Sequence, residues 1–168
     1  MTIDELNRLS ADEAEVLFLR CCGCPGWAKA MAAARPYRDL AAVHANALTA
    51  FAALDEAGWL EAFAAHPRIG DVESLRRKYA DTKAWASGEQ SGVQGAQEAV
   101  IQGLARGNTA YEQKFGFIFI VCATGKTAAE MLALLEARLP NDRAREITNA
   151  AREQEKITAI RIDKWLTA

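Results

Sequence analysis

His66 is the side chain in this sequence best placed for acid-base chemistry. It ends a helical stretch and precedes Pro67, whose ring disfavours helical geometry in the residue before it. The imidazole is therefore offered from a break in the chain, and histidine titrates near neutral pH. A capped surface loop explains the same residues, because Asp71 can cap the helix that follows. Both interpretations stay open from the residues alone.

An arginine on the inward side of the last predicted helix is a second candidate. At about 100° per residue, Gln154 and Arg161 fall within the arc of apolar residues on that helix. A buried guanidinium is costly unless it is paired. Arg161 must therefore meet a carboxylate, a row of carbonyls or an anionic ligand, and the pattern favours structural pairing and ligand binding equally.

The residues from Ser87 to Gln90 form a third candidate. Ser87 and Gln90 have capping-box spacing, and Glu89 lies near the positive end of the helix that they would start. The same carboxylate and amide can hold a polar ligand beside exposed backbone N–H groups. Spacing alone does not choose between a helix start and a ligand site.

The segment from Lys114 to Thr127 superficially resembles a phosphate-binding loop. Ile120 stands where such a loop requires a glycine, five positions before Gly125, so we reject nucleotide binding. Gly125 is instead predicted to close a turn before Thr127 starts a helix. The aromatic residues of this segment are predicted to be core: Phe115, Phe117 and Phe119.

The cysteines and the other histidine indicate neither a metal site nor a disulfide framework. Cys21, Cys22 and Cys24 crowd into four residues, and Cys122 stands alone. A zinc site would need separated pairs or added histidines, and the chain has 2 histidines. We therefore expect packed thiols and no metal. His44 lies on an apolar stripe, which predicts a hydrogen-bonded core or interface histidine.

Helices must position these residues. Alanine is abundant, apolar residues recur at three and four, and β-branched runs are scarce, which favours an all-α fold. We predict a single compact multi-helix domain over residues 1–168, with about eight or nine helices. The predicted helices cover residues 3–8, 11–21, 25–34, 38–54, 56–65, 71–80, 88–113, 126–138 and 142–165.

Composition argues against two classes of partner. The 20 Lys and Arg against 22 Asp and Glu give a net charge of -2, which lacks the basic surface of nonspecific nucleic-acid binding. The longest apolar run, Phe115 to Ala123, is too short to cross a bilayer. The N-terminus is acidic and has no signal-peptide pattern, and the final residues lack a peroxisomal SKL-type ending. We expect a cytoplasmic protein.

Six segments in this order carry a family resemblance: CCGC before PGWAKAM, ARPY, HPRIGD, SGEQSG, YEQKFGFIFIVCATGKT and EKITAIRI. Together they resemble the 2-oxo-4-hydroxy-4-carboxy-5-ureidoimidazoline (OHCU) decarboxylase family over nearly the whole chain. The resemblance implies an all-helical, usually homodimeric enzyme without a cofactor. Its implied reaction is the conversion of OHCU to (S)-allantoin, the last step from urate to allantoin.

The resemblance also implies roles for individual residues. His66 and Glu89 match the family's catalytic positions, and Gln90 matches the amide paired with the acid. Arg161 matches a substrate-holding arginine, and Pro67 would lie against the substrate ring. The other matching substrate-binding positions are Ser87 and the backbone of Phe119, Ile120, Val121, Cys122 and Ala123. Ser87 stands one position later than the family's serine, where this chain has Ala86.

Two functions from other classes stay open. One is a non-catalytic helical module that binds a ureide or purine derivative without turning it over. The other is a structural dimerisation domain, which the alanine-rich composition and 4 tryptophans would suit. The enzyme is favoured because His66 has no clear purpose in a pure binder. Replacing His66 separates these functions, since only the enzyme loses turnover.

Overall fold

The computed structural model describes residues 1–68, 71–79 and 90–166, and for residues 90–96 it describes the backbone alone. Within these ranges the chain is all-α, as predicted, with nine helices and no strand. The helices, α1 to α9, are Ile3–Arg8, Ala11–Cys22, Pro25–Ala33, Leu40–Ala52, Glu56–Ala64, Val72–Tyr79, Gln90–Phe115, Ala128–Arg138 and Arg143–Trp165. None of these described helices is long and apolar enough to span a membrane.

Capping residues explain where several helices begin. The hydroxyls of Ser10 and Thr127 each accept the backbone N–H of the third residue onward, at 3.3 and 3.2 Å. In both cases a glutamate returns a hydrogen bond to the capping residue, which completes a capping box. Asp71 Oδ1 accepts a backbone N–H at 2.8 Å before α6, as predicted. Pro25 begins α3, where a missing N–H costs nothing.

Local backbone chemistry explains where the observed helix ends differ from the predicted ones. The helix α7 continues to residue 115 rather than 113, because Gly116 ends it with a φ of 80°. The helix α4 begins at residue 40 rather than 38, because Asp39 caps it through a 2.7 Å bond. Gly125 closes the predicted turn with a φ of 75°. The helix α8 begins at residue 128 rather than 126, because Thr127 is extended, with a ψ of 164°, and caps it.

The described residues fall into two compact units, and the single domain over residues 1–168 stays a prediction. The first unit comprises three segments: Met1–His66, Ile120–Cys122 and Asn149–Ala168. Trp27 is fully buried at its centre, and the Phe18 ring meets it edge-on at 5.9 Å. The indole N–H donates to the carbonyl of Ala47 at 3.0 Å. Burying each such large side chain contributes about 1.5–3 kcal/mol to stability.

A glycine between α2 and α3 allows a close approach within the first unit. Gly23 has a φ of 79°, in the left-handed region that glycine adopts readily. A Cβ at this position would lie 2.3 Å from the Cβ of Ala65, the residue before His66. A larger residue at Gly23 would therefore displace this part of the chain. The cysteines around Gly23 are buried, as predicted: Cys21, Cys22 and Cys24.

The second unit comprises two segments: Pro67–Phe119 and Ala123–Thr148. In this unit α7 and α8 pack closely, because Gly107 leaves room for Leu135. A Cβ at Gly107 would lie 2.3 Å from Leu135 Cδ2. Leu135 is fully buried at this crossing, so the glycine sets the approach of the two helices.

Glu146 is a fully buried carboxylate in the second unit. It accepts hydrogen bonds from Tyr111 Oη at 2.6 Å, from Asn141 Nδ2 at 2.8 Å and from Arg138 Nε. Burial, together with the bond to Glu146, raises the pKa of Tyr111, so the phenol stays a donor. A buried charge persists in a fold only when it is paired and hydrogen-bonded, as this one is.

Candidate active site

The first unit places His66 where α5 ends. The helix stops at residue 64, and the N–H of His66 makes a final bond to the carbonyl of Phe63 at 3.1 Å. Pro67 comes next and disfavours another helical residue. The predicted chain break is thus present, and the imidazole reaches α9 from it.

The imidazole of His66 is half-buried and hydrogen-bonded. Its Nε2 lies 2.6 Å from Oε1 of Gln154 on α9. Burial lowers the pKa of His66, the bond to Gln154 opposes that effect, and the charge of Arg161 adds to it. Because the resulting pKa lies below the ordinary value of 6.5, the neutral imidazole predominates at pH 7. A neutral imidazole can accept a proton from a bound ligand.

Arg161 lies two turns beyond Gln154 on α9 and is half-buried. Its Nη1 donates to the carbonyl oxygen of Cys21 at 2.9 Å. Among the residues that the structure describes, no carboxylate pairs with it. A guanidinium has five N–H donors, and one carbonyl occupies few of them. Of the partners that the sequence leaves open for Arg161, the structure shows a carbonyl, and N–H donors remain for an anion.

The thiols near Arg161 are not suited to nucleophilic chemistry. Burial raises the pKa of Cys21 to about 11 and that of Cys22 to about 12. Burial also raises the pKa of Cys24. Since the thiolate is the reactive form, these cysteines are inert at neutral pH and serve in packing.

The irregular segment Ile120–Cys122 belongs to the same unit as His66. The N–H of Cys122 donates to Glu153 Oε2 on α9 at 2.8 Å. The other carboxylate oxygen of Glu153 lies 2.5 Å from Lys156 Nζ. The segment is therefore anchored to α9, and the Cys122 N–H is already engaged.

The two ends of the predicted cradle, Phe119 and Ala123, are assigned to the second unit. Within that unit the Phe119 ring packs against Tyr111 at 5.1 Å, and Arg138 Cζ lies 4.7 Å from its centroid. Phe119 is half-buried in this cluster. The core prediction is confirmed for the two preceding phenylalanines, Phe115 and Phe117.

The remaining predicted site residues belong to the second unit or lie outside the described residues. Pro67 is exposed and belongs to the second unit. Ser87 and Glu89 lie outside the described residues, and Gln90 begins α7 with only its backbone described. The acid and amide pair therefore stays a prediction.

His44 differs from His66 in its surroundings. Its Nε2 lies 2.7 Å from Asp163 Oδ1, which confirms the predicted hydrogen bond. Its side chain is 30% exposed, so it lies at the edge of the core rather than within it. Leu48, which was predicted on the same buried stripe, is 53% exposed. This face of α4 is therefore partly open to solvent, which explains the exposure of His44.

Two contacts of the site could not be read from the sequence. The sequence predicts that Gln154 faces inward, and a buried amide needs hydrogen-bond partners at both ends. No feature of the sequence identifies His66 as one of these partners. Glu153 carries no signal, because a glutamate on a long polar helix is typically solvent-exposed. Among the described residues, no group of three or more His, Cys, Asp and Glu is arranged to hold a metal ion.

The chain matches a known family model and is similar to several solved structures. Residues 7–163 match the family model of OHCU decarboxylase. A crystal structure of OHCU decarboxylase in the presence of (S)-allantoin is 37% identical, with a TM-score of 0.70 over 88% of this chain and 94% of that one. A crystal structure of (S)-allantoin synthase is 18% identical, with a TM-score of 0.71 over 96% of this chain and 53% of that one, and shares the fold.

Curated relatives point the same way. The uric acid degradation bifunctional protein TTL of Arabidopsis thaliana is 38% identical over 86% of this chain, which spans 44% of that protein. The bifunctional protein PucL of Bacillus subtilis is 25% identical, and this chain spans 33% of it. The 2-oxo-4-hydroxy-4-carboxy-5-ureidoimidazoline decarboxylase of Amia calva is 27% identical, with 96% of this chain and 93% of that protein covered. The match of residues 7–163 shows that this chain belongs to the OHCU decarboxylase family.

Proposed function

We propose that this chain catalyses the decarboxylation of OHCU to (S)-allantoin, with His66 as the group that moves the proton. The observation that carries the proposal is a half-buried, neutral histidine that lies within the electrostatic influence of an arginine. That arginine has no carboxylate partner among the described residues. The substrate is an anionic carboxylate, and its decarboxylation passes through an anionic intermediate. Such a reaction requires a base and a fixed positive charge. Family membership supplies the reaction class.

The chemistry of OHCU explains how these two groups would act. The bond from the ring to the carboxylate breaks, carbon dioxide leaves, and the electron pair moves into the adjacent ring imine. His66 accepts the proton of the ring hydroxyl as that carbon becomes a carbonyl, and it returns the proton to the neighbouring carbon. One solvent proton neutralises the ring nitrogen, so charge balances. Arg161 stabilises the negative charge that develops before protonation.

The proposal retains the other residues that the resemblance implies. Glu89 would orient His66 or bind a ring N–H, and Gln90 would read the ureido group through its amide. Pro67 would lie against the ring, with Ser87 nearby. The backbone of residues 119–123 would meet the polar edges of the substrate. We also propose a homodimer that acts in the cytoplasm as one functional domain over residues 1–168.

The proposed decarboxylase activity is tested by generating the unstable substrate OHCU in situ. Urate oxidase and hydroxyisourate hydrolase convert urate to OHCU, this protein is added, and circular dichroism follows the chiral products. We expect rapid formation of a stable (S)-allantoin signal. Decay at the spontaneous rate to a racemic product would contradict the enzyme, and binding of allantoin in that case would favour the non-catalytic ureide-binding module.

Replacing Arg161 with methionine is expected to lower kcat/KM about 10- to 100-fold without unfolding the protein. A hydrogen bond to a charged group contributes about 1.5–3 kcal/mol, and methionine keeps the length of the side chain without the charge. Steady-state kinetics and thermal unfolding by circular dichroism measure the two effects. Arg152→Met is the matched control, since Arg152 is an exposed arginine of the same helix. Unfolding of Arg161→Met alone would show that its bond to the Cys21 carbonyl is structural.

Dialysis against EDTA is expected to leave kcat unchanged. The ring imine of the substrate accepts the electron pair itself, so the proposed reaction needs no metal to stabilise it. The coupled assay should be run on dialysed protein, with the auxiliary enzymes added afterwards. A loss of rate that zinc restores would contradict the metal-free mechanism.

A further inference from the structure

Gln154 is a buried amide with both ends engaged. The residue is fully buried in the first unit. Its Oε1 lies 2.6 Å from His66 Nε2, and its Nε2 donates to Thr158 Oγ1 at 3.1 Å. Thr158 is also buried, with 4% of its surface exposed. His66, Gln154 and Thr158 therefore form a continuous chain of hydrogen-bonded side chains.

The chemistry of the amide gives this chain a direction. An amide oxygen only accepts, so His66 Nε2 must carry the hydrogen between them. A separation of 2.6 Å fits an oxygen acceptor, whereas a reversed amide would force two nitrogens together at that distance. The amide NH₂ then donates to Thr158 Oγ1. Each group in the chain has a partner of the right kind.

We infer that Gln154 is a positioning residue that holds His66 as the Nε2–H tautomer and leaves Nδ1 as the atom that accepts and returns the proton. A neutral imidazole has one N–H, and the bond made by one nitrogen decides which nitrogen carries it. Protonation at Nδ1 leaves the bond to Gln154 intact. The catalytic consequence rests on the proposed function, but the tautomer does not.

A neutral acceptor suits this position better than a carboxylate would. A carboxylate at position 154 would stabilise the imidazolium and raise the pKa of His66. Gln154 orients the ring while burial keeps it neutral. Among the described residues, the charged group that acts on His66 is Arg161 of α9, which also opposes protonation. The thiols of Cys21 and Cys22 on α2 are neutral because burial raises their pKa.

Imidazole ¹⁵N NMR tests the tautomer without any turnover. The chain has 2 histidines, so in the His44→Gln variant all imidazole signals come from His66. We expect Nε2 at the shift of a protonated nitrogen and Nδ1 at that of an unprotonated one at pH 7. In Gln154→Leu the two nitrogens should move toward averaged shifts. A predominant Nδ1–H tautomer in the His44→Gln protein would overturn the inference.

Two variants separate positioning from simple structural support. Gln154→Leu should lower kcat about 10- to 100-fold with little change in KM. Gln154→Glu should keep the Nε2–H tautomer and move the acidic limb of kcat/KM to higher pH. If Gln154→Leu does not fold, Gln154→Glu and the His44→Gln spectrum still decide. Unchanged tautomer and kcat in Gln154→Leu would contradict the positioning role. Absence of turnover with the expected spectrum would contradict the proposed function and leave the tautomer assignment standing.

Discussion

Replacing His66 with asparagine is expected to lower kcat for OHCU decarboxylation by about 10²- to 10⁴-fold while the fold is retained. Asparagine is polar and smaller than histidine, so it tolerates the half-buried position, but it cannot take up a proton. The coupled circular dichroism assay measures the rate, and the far-ultraviolet spectrum checks the fold. The size of the loss follows from removing a general base and acid in one substitution.

The control for this experiment is His44→Asn. His44 is hydrogen-bonded to Asp163 in the same unit, so the two variants remove the same chemical group from different surroundings. We expect the His44 variant to keep its activity. Equal loss in both variants would indicate damage to the fold, and undiminished turnover in His66→Asn would assign the proton transfer to another group.

The pH dependence of the unsubstituted protein provides a second measurement on His66. Because burial lowers its pKa, the acidic limb of kcat/KM should lie below the ordinary value of 6.5. The same shift affects stability: below pH 6.5 the unfolded chain binds a proton that the folded chain takes up only at lower pH. The free energy of unfolding contributed by His66 is therefore lost as pH falls below 6.5. His66→Asn should remove this dependence.

Replacing Glu146 with alanine is expected to destabilise the protein by about 3–5 kcal/mol. The substitution removes the buried carboxylate that accepts hydrogen bonds from Tyr111, Asn141 and Arg138. For a chain of this length the melting temperature should fall by about 10 °C or more. Urea unfolding followed by circular dichroism measures the free energy, and thermal unfolding measures the shift.

Glu98→Ala is the comparison for the Glu146 variant. Glu98 also pairs with an arginine of the second unit, at 2.6 Å from Arg76 Nη2, but its side chain is 45% exposed. An exposed ion pair contributes about 0–1 kcal/mol, so the loss should be small. Similar losses in the two variants would show that burial of Glu146 adds nothing to the strength of its network.

The sequence predicts the all-α class and identifies two side chains of the candidate site, because each leaves a local signal. His66 precedes a proline, and Arg161 interrupts an apolar arc. The contacts between them depend on distant parts of the chain and leave no such signal. Glu153 was not predicted to hold the Cys122 N–H, since its neighbours on α9 say nothing about a segment more than 30 positions away.

Exposure was less predictable than helix formation. Leu48 shares the period of buried residues on α4, yet it is 53% exposed, because periodicity identifies a face without showing whether anything covers it. Several predicted helix ends were wrong because the exact position at which a capping residue starts or stops a helix is not evident from the sequence. Asp39 and Gly116 are ordinary capping residues, and each moved a boundary by two positions.

Gly23 links the two side chains that the proposed reaction uses, although it touches no ligand. It follows directly on the end of α2, where the Cys21 carbonyl receives Arg161, and it leaves no room for a Cβ beside Ala65, the neighbour of His66. A side chain here would push on both at once. In a genetic selection for turnover, substitutions at Gly23 would therefore be depleted, as are substitutions of the residues that act on the substrate. A glycine without a side chain would then register as a functional position for purely steric reasons.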